Sequence, residues 1–418
     1  MSVVLALVFF VLIGLSFPIA HALVIGTTAG VLWSGQPLFT VIQQLYTPTQ
    51  NFPLIAIPMF IMAAVLMMTG KLGQHLIDFA TDLVGRFRGG HAQVSVLGST
   101  LFGGVSGSAV ADATALGTLL VPWQIKVGYP RAFCGATIAA ASTIDILIPP
   151  SIPLILYSLV SNASIGALFL AGVLPGLLLA IGFLAVCNIS ARLRGFPFHK
   201  QPISWTRLAW RGLYASPALA MPVLVLVALR SGIITPTEVS TSAVVYAILV
   251  SAFFYRDLTW RRFKESIYTA GVSTGVVMLL IMASTAAGWV LTIDEVPQHF
   301  LDWAKLHFTS SVSILLLMNL MMLVIGMFID LPAAILILTP LFLPLAQAFN
   351  IDPVQLGIIM VVNLAIGLYS PPVGTTLFIG SMIAKAPIGH TVRELIPFYG
   401  VALLVLALMT YVPAFTIR

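Results

Sequence analysis

The chain has 418 residues, of which 59% are hydrophobic and 8% charged, where an ordinary soluble domain carries about 25% charged residues. That excludes a water-soluble fold and leaves an all-α polytopic membrane protein embedded in a lipid bilayer. The formal charge of +6 comes from Lys and Arg clustered between apolar runs, the pattern of cytoplasmic loops and not of nucleic-acid binding.

A bilayer crossing takes about 20 apolar residues. The first run, 2–33, is longer than that, carries Pro18 and His21, and reads as one retained span, kinked or tilted; no cleavage signal marks it for removal. His21 reads as an interhelical hydrogen-bonding residue. A polar connection over 34–52 leads to a span at 53–70. Residues 72–88 then place Leu72, Leu76, Phe79, Ala80, Leu83 and Phe87 on one helical face, which fits either a helix lying in the membrane interface or a short loop helix. Next come a broken run, 94–122, a span at 131–158 and another at 167–190. Two basic loops, one with Arg192, Arg194, Lys200, Arg207 and Arg211 and one with Arg256, Arg261, Arg262 and Lys264, bracket spans at 214–230 and 236–254. A span at 270–292 precedes a second amphipathic segment, 296–308. A broken run, 312–345, a span at 354–382 and a last span at 394–413 complete the chain. The two cysteines, Cys134 and Cys187, lie within apolar runs and indicate neither a disulfide framework nor a metal site.

The second half repeats the first. Pro122, Pro149, Pro150 and Pro175 recur as Pro344, Pro371, Pro372 and Pro397, each 222 positions later, and Gly104 recurs as Gly326. Several matches at one register, with matching amphipathic arms, make an internal repeat. The distribution of basic residues sets its topology. If both broken runs fold back as re-entrant hairpins and the N-terminus is cytoplasmic, 16 of the 19 Lys and Arg fall inside, with Arg230, Lys305 and Arg418 outside; if both runs cross, seven fall inside. The positive-inside rule selects the hairpins. The two repeats are then inverted in the membrane, and the C-terminus is periplasmic.

Breaks in helices free backbone N–H and C=O groups, which survive at membrane depth only where they are buried in protein or line a polar cavity. The candidate site therefore lies where each hairpin tip meets the broken helix that follows it. The first pairing is Ser106, Gly107 and Ser108, with Asp112 just beyond, against Thr143, Asp145, Pro149, Pro150 and Ser151. The second is Gly326 and Asp330 against Tyr369, Ser370, Pro371, Pro372, Gly374, Thr375 and Thr376. Freed carbonyls and hydroxyls suit Na⁺, with Ser106, Ser108, Gly326, Asp330 and Gly374 as candidate ligands in two or more sites. The N-terminal ends of half-helices favour an anionic substrate group. The same small residues also serve close helix packing, and Asp112 and Asp330 suit either direct cation binding or helix capping. No metalloprotease, nucleophile-elbow or phosphate-loop motif is present.

At these residues the sequence resembles a known family. GGVSGSAVADATALGTLLVP, IPPSIPLILY, SIGALFLAGVLPGLLL and GIIMVVNLAIGLYSPPVGTTLF are similar to the DctM-like large membrane subunit of the tripartite ATP-independent periplasmic (TRAP) transporters, over essentially the whole chain. The resemblance implies a Na⁺-driven importer of the bacterial inner membrane whose transport domain moves like an elevator in a fixed scaffold. It also implies two partners, a small four-helix membrane subunit and a soluble periplasmic substrate-binding protein. It carries over Ser106, Ser108, Asp112 and Asp330 as site residues. Asp145, in place of a usual glycine, and Thr375-Thr376, in place of a common Leu-Asn pair, depart from the family pattern.

The expectation is a sodium-coupled, binding-protein-dependent importer of a small carboxylate-bearing solute such as a dicarboxylate or a sialic acid, and not an enzyme. Residues 94–190 and 310–418 would form the transport domain, and 1–93 and 191–309 the scaffold with its two arms. The alternatives are an autonomous proton-coupled carrier, drawing on His21, Asp112 and Asp145, and a membrane-embedded enzyme, against which the lack of a paired catalytic constellation speaks.

Overall fold

The computed structural model describes residues 1–198 and 204–415; Lys200 and Arg418, both used in counting charge, lie outside the described residues. Among the described residues every regular element is helical.

The N-terminal run corrects the expectation of one span. It forms α1 (Ser2–Gly14) and α2 (Ile19–Trp33), which pack against each other. Ser16 takes a left-handed φ of +64° and Pro18 stands before α2, so the chain reverses between them. A Cβ on Gly30 would sit 2.8 Å from the Met1 carbonyl oxygen, so glycine here lets the two backbones touch. The polar connection contains a short helix, α3 (Phe39–Tyr46), and the chain bends by 69° on the way into α4 (Ala56–Met68). His21 is exposed and makes no side-chain hydrogen bond among the described residues, so the interhelical role expected for it is absent.

The reversal changes the topology at the N-terminus. The Met1 amino group lies 2.8 Å from the Asp294 carboxylate and the Ser2 N–H donates to it at 2.6 Å. Asp294 ends α13 (Trp260–Ile293). At the other end of that helix, Arg262 pairs with Asp257, which also accepts from the Lys71 N–H. A cytoplasmic N-terminus and an outward-running 270–292 span therefore cannot both hold. The charge count could not see this, because no Lys or Arg precedes Lys71.

The first arm, α5 (Lys71–Val84), buries Leu72, Leu76 and Ala80, while Phe87, assigned to the same face, lies beyond the helix and is exposed. Its outer side is tied down by Arg207 and Arg211, which pair with Asp82 at 3.0 and 2.9 Å. The first broken run is α6 (Gly90–Gly103) and α7 (Ala109–Val127). At 14 residues, about 21 Å, α6 is too short to cross. The pair folds back, with the Gln124 amide donating to the His91 carbonyl and to Ser95, both at 2.8 Å. The first broken helix follows as α8 (Arg131–Ala141) and α9 (Ile152–Ser161), then α10 (Ile165–Arg194).

Between the repeats stand α11 (Trp205–Arg230), α12 (Pro236–Leu249) and α13, followed by the second arm, α14 (Val296–His307). The second broken run is α15 (Ser311–Gly326) and α16 (Leu331–Ala348). By length and composition α16 could cross a membrane. Its neighbours show otherwise: Gly326 and Leu331, on either side of the tip, both approach the Gly367–Leu368 end of α17 (Pro353–Leu368). The second broken helix ends in α18 (Thr375–Ala384), and α19 (Ile388–Tyr411) closes the fold.

The hairpins enter from opposite ends. The base of the first shares its end with Arg131, which reaches the Ala384 carbonyl at 3.5 Å, and with the Arg194–Glu394 pair. The base of the second lies with the start of α17, where Gln355 donates to the carbonyls of Met409 and Thr410. Helices α6–α10 and α15–α19 pack around one another, α8 against α18 and α17 against α9. Both double-proline bonds, Pro149-Pro150 and Pro371-Pro372, are cis, so the sequence repeat is also a repeat of conformation.

Candidate functional site: two hairpin tips meeting two broken helices

Each tip is shaped by residues that end helices. In the first, Gly107 takes a φ of +63°, and a Cβ there would come within 2.6 Å of the Pro150 carbonyl oxygen; only glycine lets tip and break close up. Ser108 caps α7, accepting from the Ala111 N–H. Across the break, Ser151 caps α9 by accepting from the Leu154 N–H, and its hydroxyl donates to the Ile146 carbonyl. Thr143 donates to the Ala140 carbonyl at 2.7 Å, a helical back-bond that leaves it out of the tip contact.

Asp145 joins the two halves of this first site. Its carboxylate accepts from the N–H of Ser108 at 2.6 Å and of Gly107 at 3.3 Å, so it fills the anion-binding end of α7 that the sequence assigned to a substrate. Asp112, one turn into α7, is fully buried, and neither of its oxygens has a hydrogen bond. The Ser106 hydroxyl is likewise buried without a partner. Orphan oxygens at membrane depth are costly unless something positive meets them.

The second site is built differently. Asp330 stands at the start of α16 without capping it and is only partly buried. The Val373 N–H donates to the Met327 carbonyl at 3.2 Å, tying break to tip. Gly326, Asp330, Gly374 and Thr375 line one small hollow, and the buried Thr375 hydroxyl has no partner. Tyr369 and Ser370 serve the break itself: the Tyr399 hydroxyl donates to the Tyr369 carbonyl, and Ser370 donates back to Ile366, both at 2.7 Å. Thr376 donates to the carbonyls of Leu368 at 2.9 Å and Ala139 at 3.0 Å, so one hydroxyl bridges the two broken helices. The prolines have no N–H to leave bare in the breaks.

The two tips share a cavity of about 110 Å³ lined by Gly107, Ser108, Ile152, Asp330 and Leu368, and walled by Val277 from the middle of α13. Thus Ser106, Gly107, Ser108, Asp112, Asp145 and Ser151 come together, as do Gly326, Asp330, Gly374 and Thr375, and Ser108 and Asp330 line one cavity. Thr143, Tyr369, Ser370 and Thr376 hold the frame. Sequence reasoning missed Ser99, Tyr399 and Val277, which carry no motif. It also missed Asn319 and Asn363, whose buried amide contact at 2.7 Å pins α15 to α17; asparagine in two apolar runs was the signal available.

Inverted, re-entrant hairpins with broken helices converging on a shared cavity define a polytopic membrane transport protein. The family model for the tripartite ATP-independent periplasmic transporter, DctM component, matches residues 4–415, and the chain belongs to that family: it is a TRAP large permease, not an enzyme. It is 49% identical over its full length, and that of the relative, to an uncharacterised protein, y4mL, of Sinorhizobium fredii. It is 37% identical to the C4-dicarboxylate TRAP transporter large permease protein DctM of Pseudomonas aeruginosa, covering 93% of this chain and 91% of that one. The crystal structure of the Alcanivorax borkumensis YdaH transporter aligns with a TM-score of 0.61 at 16% identity, over 90% of this chain and 88% of that one, which speaks for the fold alone.

Proposed function

We propose that this permease is the membrane-embedded part of a sodium-coupled, binding-protein-dependent importer of a small organic acid, a dicarboxylate or a sialic acid. The observation that carries the reading is the shared cavity, where Ser108 of one tip and Asp330 of the other face Val277 of α13. An acid carboxylate suits the N-terminal end of α9, whose Ile152 and Pro153 line that cavity. The relative from Pseudomonas aeruginosa, named for C4-dicarboxylates, supports the same class.

Na⁺ fits the oxygen-only surroundings of both tips. Ser106, Ser108 and Asp112 would hold it at the first, and Gly326, Asp330 and Gly374 at the second. Orphaned oxygens on Ser106, Asp112 and Thr375 support this, since a cation would satisfy them. Residues 94–190 and 310–418 would move as one body against 1–93 and 191–309, carrying the cavity past α13 in an elevator cycle. A small four-helix membrane subunit and a periplasmic binding protein would complete the transporter in the bacterial inner membrane. Taking the basic end as cytoplasmic, the Met1–Asp294 contact supports a periplasmic N-terminus, on the same side as the C-terminus.

Reconstitution with both partners tests the reading. An inward Na⁺ gradient should drive accumulation of the acid, and uptake that proceeds equally in choline would overturn the coupling.

A further inference from the structure

A larger cavity, of about 290 Å³, lies along α13 towards the Asp294 end of that helix. Its polar lining is one-sided. Gln44, Thr47 and Asn51 come from α3 and the connection that leads to α4, and Ser284, Thr285 and Thr292 come from α13. The facing surface is apolar, with Leu159 and Val160 of α9 beside Leu336 and Pro340 of α16. Among the described residues no Lys, Arg, Asp or Glu lines it. Thr47, Asn51 and Thr292 are exposed, so the cavity opens at that end.

Ser284 differs from its neighbours. Thr285 and Thr292 donate back to the Ile281 and Gly288 carbonyls of their own helix, at 2.9 and 2.8 Å. The Ser284 hydroxyl is buried and makes no hydrogen bond, which costs about 1–3 kcal/mol unless a partner enters. The side chains of Gln44 and Asn51 also make no hydrogen bond among the described residues.

This cavity lies in line with the one the tips share. Val277, which walls the tip cavity, and Ile281, Ser284 and Gly288 follow one another at spacings of four, three and four, along one face of α13. Helix α16 follows that face in the same direction: Asp330 and Leu331 share a cavity with Val277, and Leu336 and Pro340 share one with Ile281 and Gly288. Ser284 stands seven residues beyond Val277, about 10 Å along the helix. At Val277, polar tips meet an apolar wall; at Ser284, a polar wall meets an apolar surface. A slide of the tips by two turns towards Asp294 would set polar against polar.

We propose that Ser284, flanked by Gln44 and Asn51, is a second subsite for the acid, carried by the scaffold at the periplasmic end of the path. Its hydroxyl donates to a carboxylate or hydroxyl oxygen of the solute when the tips stand level with it. With no basic residue present, the contact is a single hydrogen bond from a neutral donor, strong enough to position the solute and weak enough to release it. The inference rests on the sodium-coupled elevator reading above. It adds a residue of the fixed body that sets affinity for the entering acid.

The test uses the transporter reconstituted with both partners and offered labelled succinate and labelled N-acetylneuraminate in turn under an inward Na⁺ gradient. For the acid that accumulates, Ser284→Ala should raise the half-saturating concentration about threefold to tenfold, with the maximal rate and the Na⁺ dependence unchanged. Its melting temperature should not fall, because the hydroxyl has no partner in the fold to lose. Ser284→Cys gives an independent readout. It should react with methyl methanethiosulfonate while the two buried native cysteines are spared, and the same acid should slow that reaction. An unmoved half-saturating concentration in Ser284→Ala together with a Ser284→Cys reaction indifferent to the acid would overturn the subsite and leave the coupling intact. So would a lower melting temperature and maximal rate at an unchanged half-saturating concentration, which would mark Ser284 as structural. Accumulation of neither acid, or equal uptake in choline, would instead overturn the reading on which the subsite rests.

Discussion

The two tips are related by the same 222-residue shift as the prolines, yet they carry their acids at different places. The first has Ser108, Asp112 and Asp145; the matching positions of the second are Asp330, Ala334 and Gly367. In the first, the acids are sealed from the cavity and one is engaged by the tip's own N–H groups. In the second, a single acid faces the shared cavity. Common backbone breaks with non-equivalent charge teach that the repeat keeps one framework while each half carries its own charge. The sealed half suits an ion held away from the shared cavity, and Asp330 in the open half suits a cation that an anionic substrate would meet there.

Two perturbations should separate the halves, a third tests the frame they share, and a fourth bounds the scaffold. Replacing Asp112 or Ser108 by Ala should have the largest effect, cutting Na⁺-driven uptake in proteoliposomes about tenfold to a hundredfold, the weight of a lost charge-assisted contact; wild-type rates in both would remove the first tip from the site. Asp330→Ala should reduce uptake about tenfold and, unlike the first-tip changes, should raise the half-saturating substrate concentration measured at fixed Na⁺. Thr376→Val leaves the Ala139 and Leu368 carbonyls without the hydroxyl that bridges them. It should destabilise the permease by about 1–3 kcal/mol, read by thermal unfolding, with a uniform loss of activity that favours neither tip.

The smallest effect belongs to the N-terminal hairpin. The Met1 ammonium beside Asp294 holds its carboxyl at about 2, below the usual carboxylate range. A depressed value means the pair stabilises fully above the ordinary carboxylate range and loses that contribution as pH falls from about 4 towards 2. Asp294→Asn should cost less than about 1 kcal/mol at neutral pH. It should speed hydrogen exchange in α1 while leaving α6 and α15 unchanged; equal changes in all three would show that the N-terminal hairpin is not a separate unit.

Much of the candidate site was legible in the sequence because it is built from residues that stand out in lipid. Glycine runs, paired prolines and acids in apolar context each break a rule of membrane helices, and their common offset exposed the repeat. Asp145 was visible as a departure, but its role was not. That a carboxylate binds the tip from 37 residues away depends on how α6–α7 lies against α8, which no local spacing encodes. Thr376 is a similar case, since its bond to Ala139 crosses between repeats.

The chain by itself determined the membrane class, the inverted halves and the two hairpins, because hydropathy, proline register and the placement of basic residues are written along the backbone. The N-terminal hairpin was decided only in three dimensions. Residues 1–70 carry no Lys or Arg, and a turn between two apolar helices has nearly the hydropathy of one long span; only the contacts of Met1 with Asp294 and of α1 with α2 distinguish them. The unequal burial of the acids was likewise decided by packing, which seals Asp112 and Asp145 and leaves Asp330 open to the cavity.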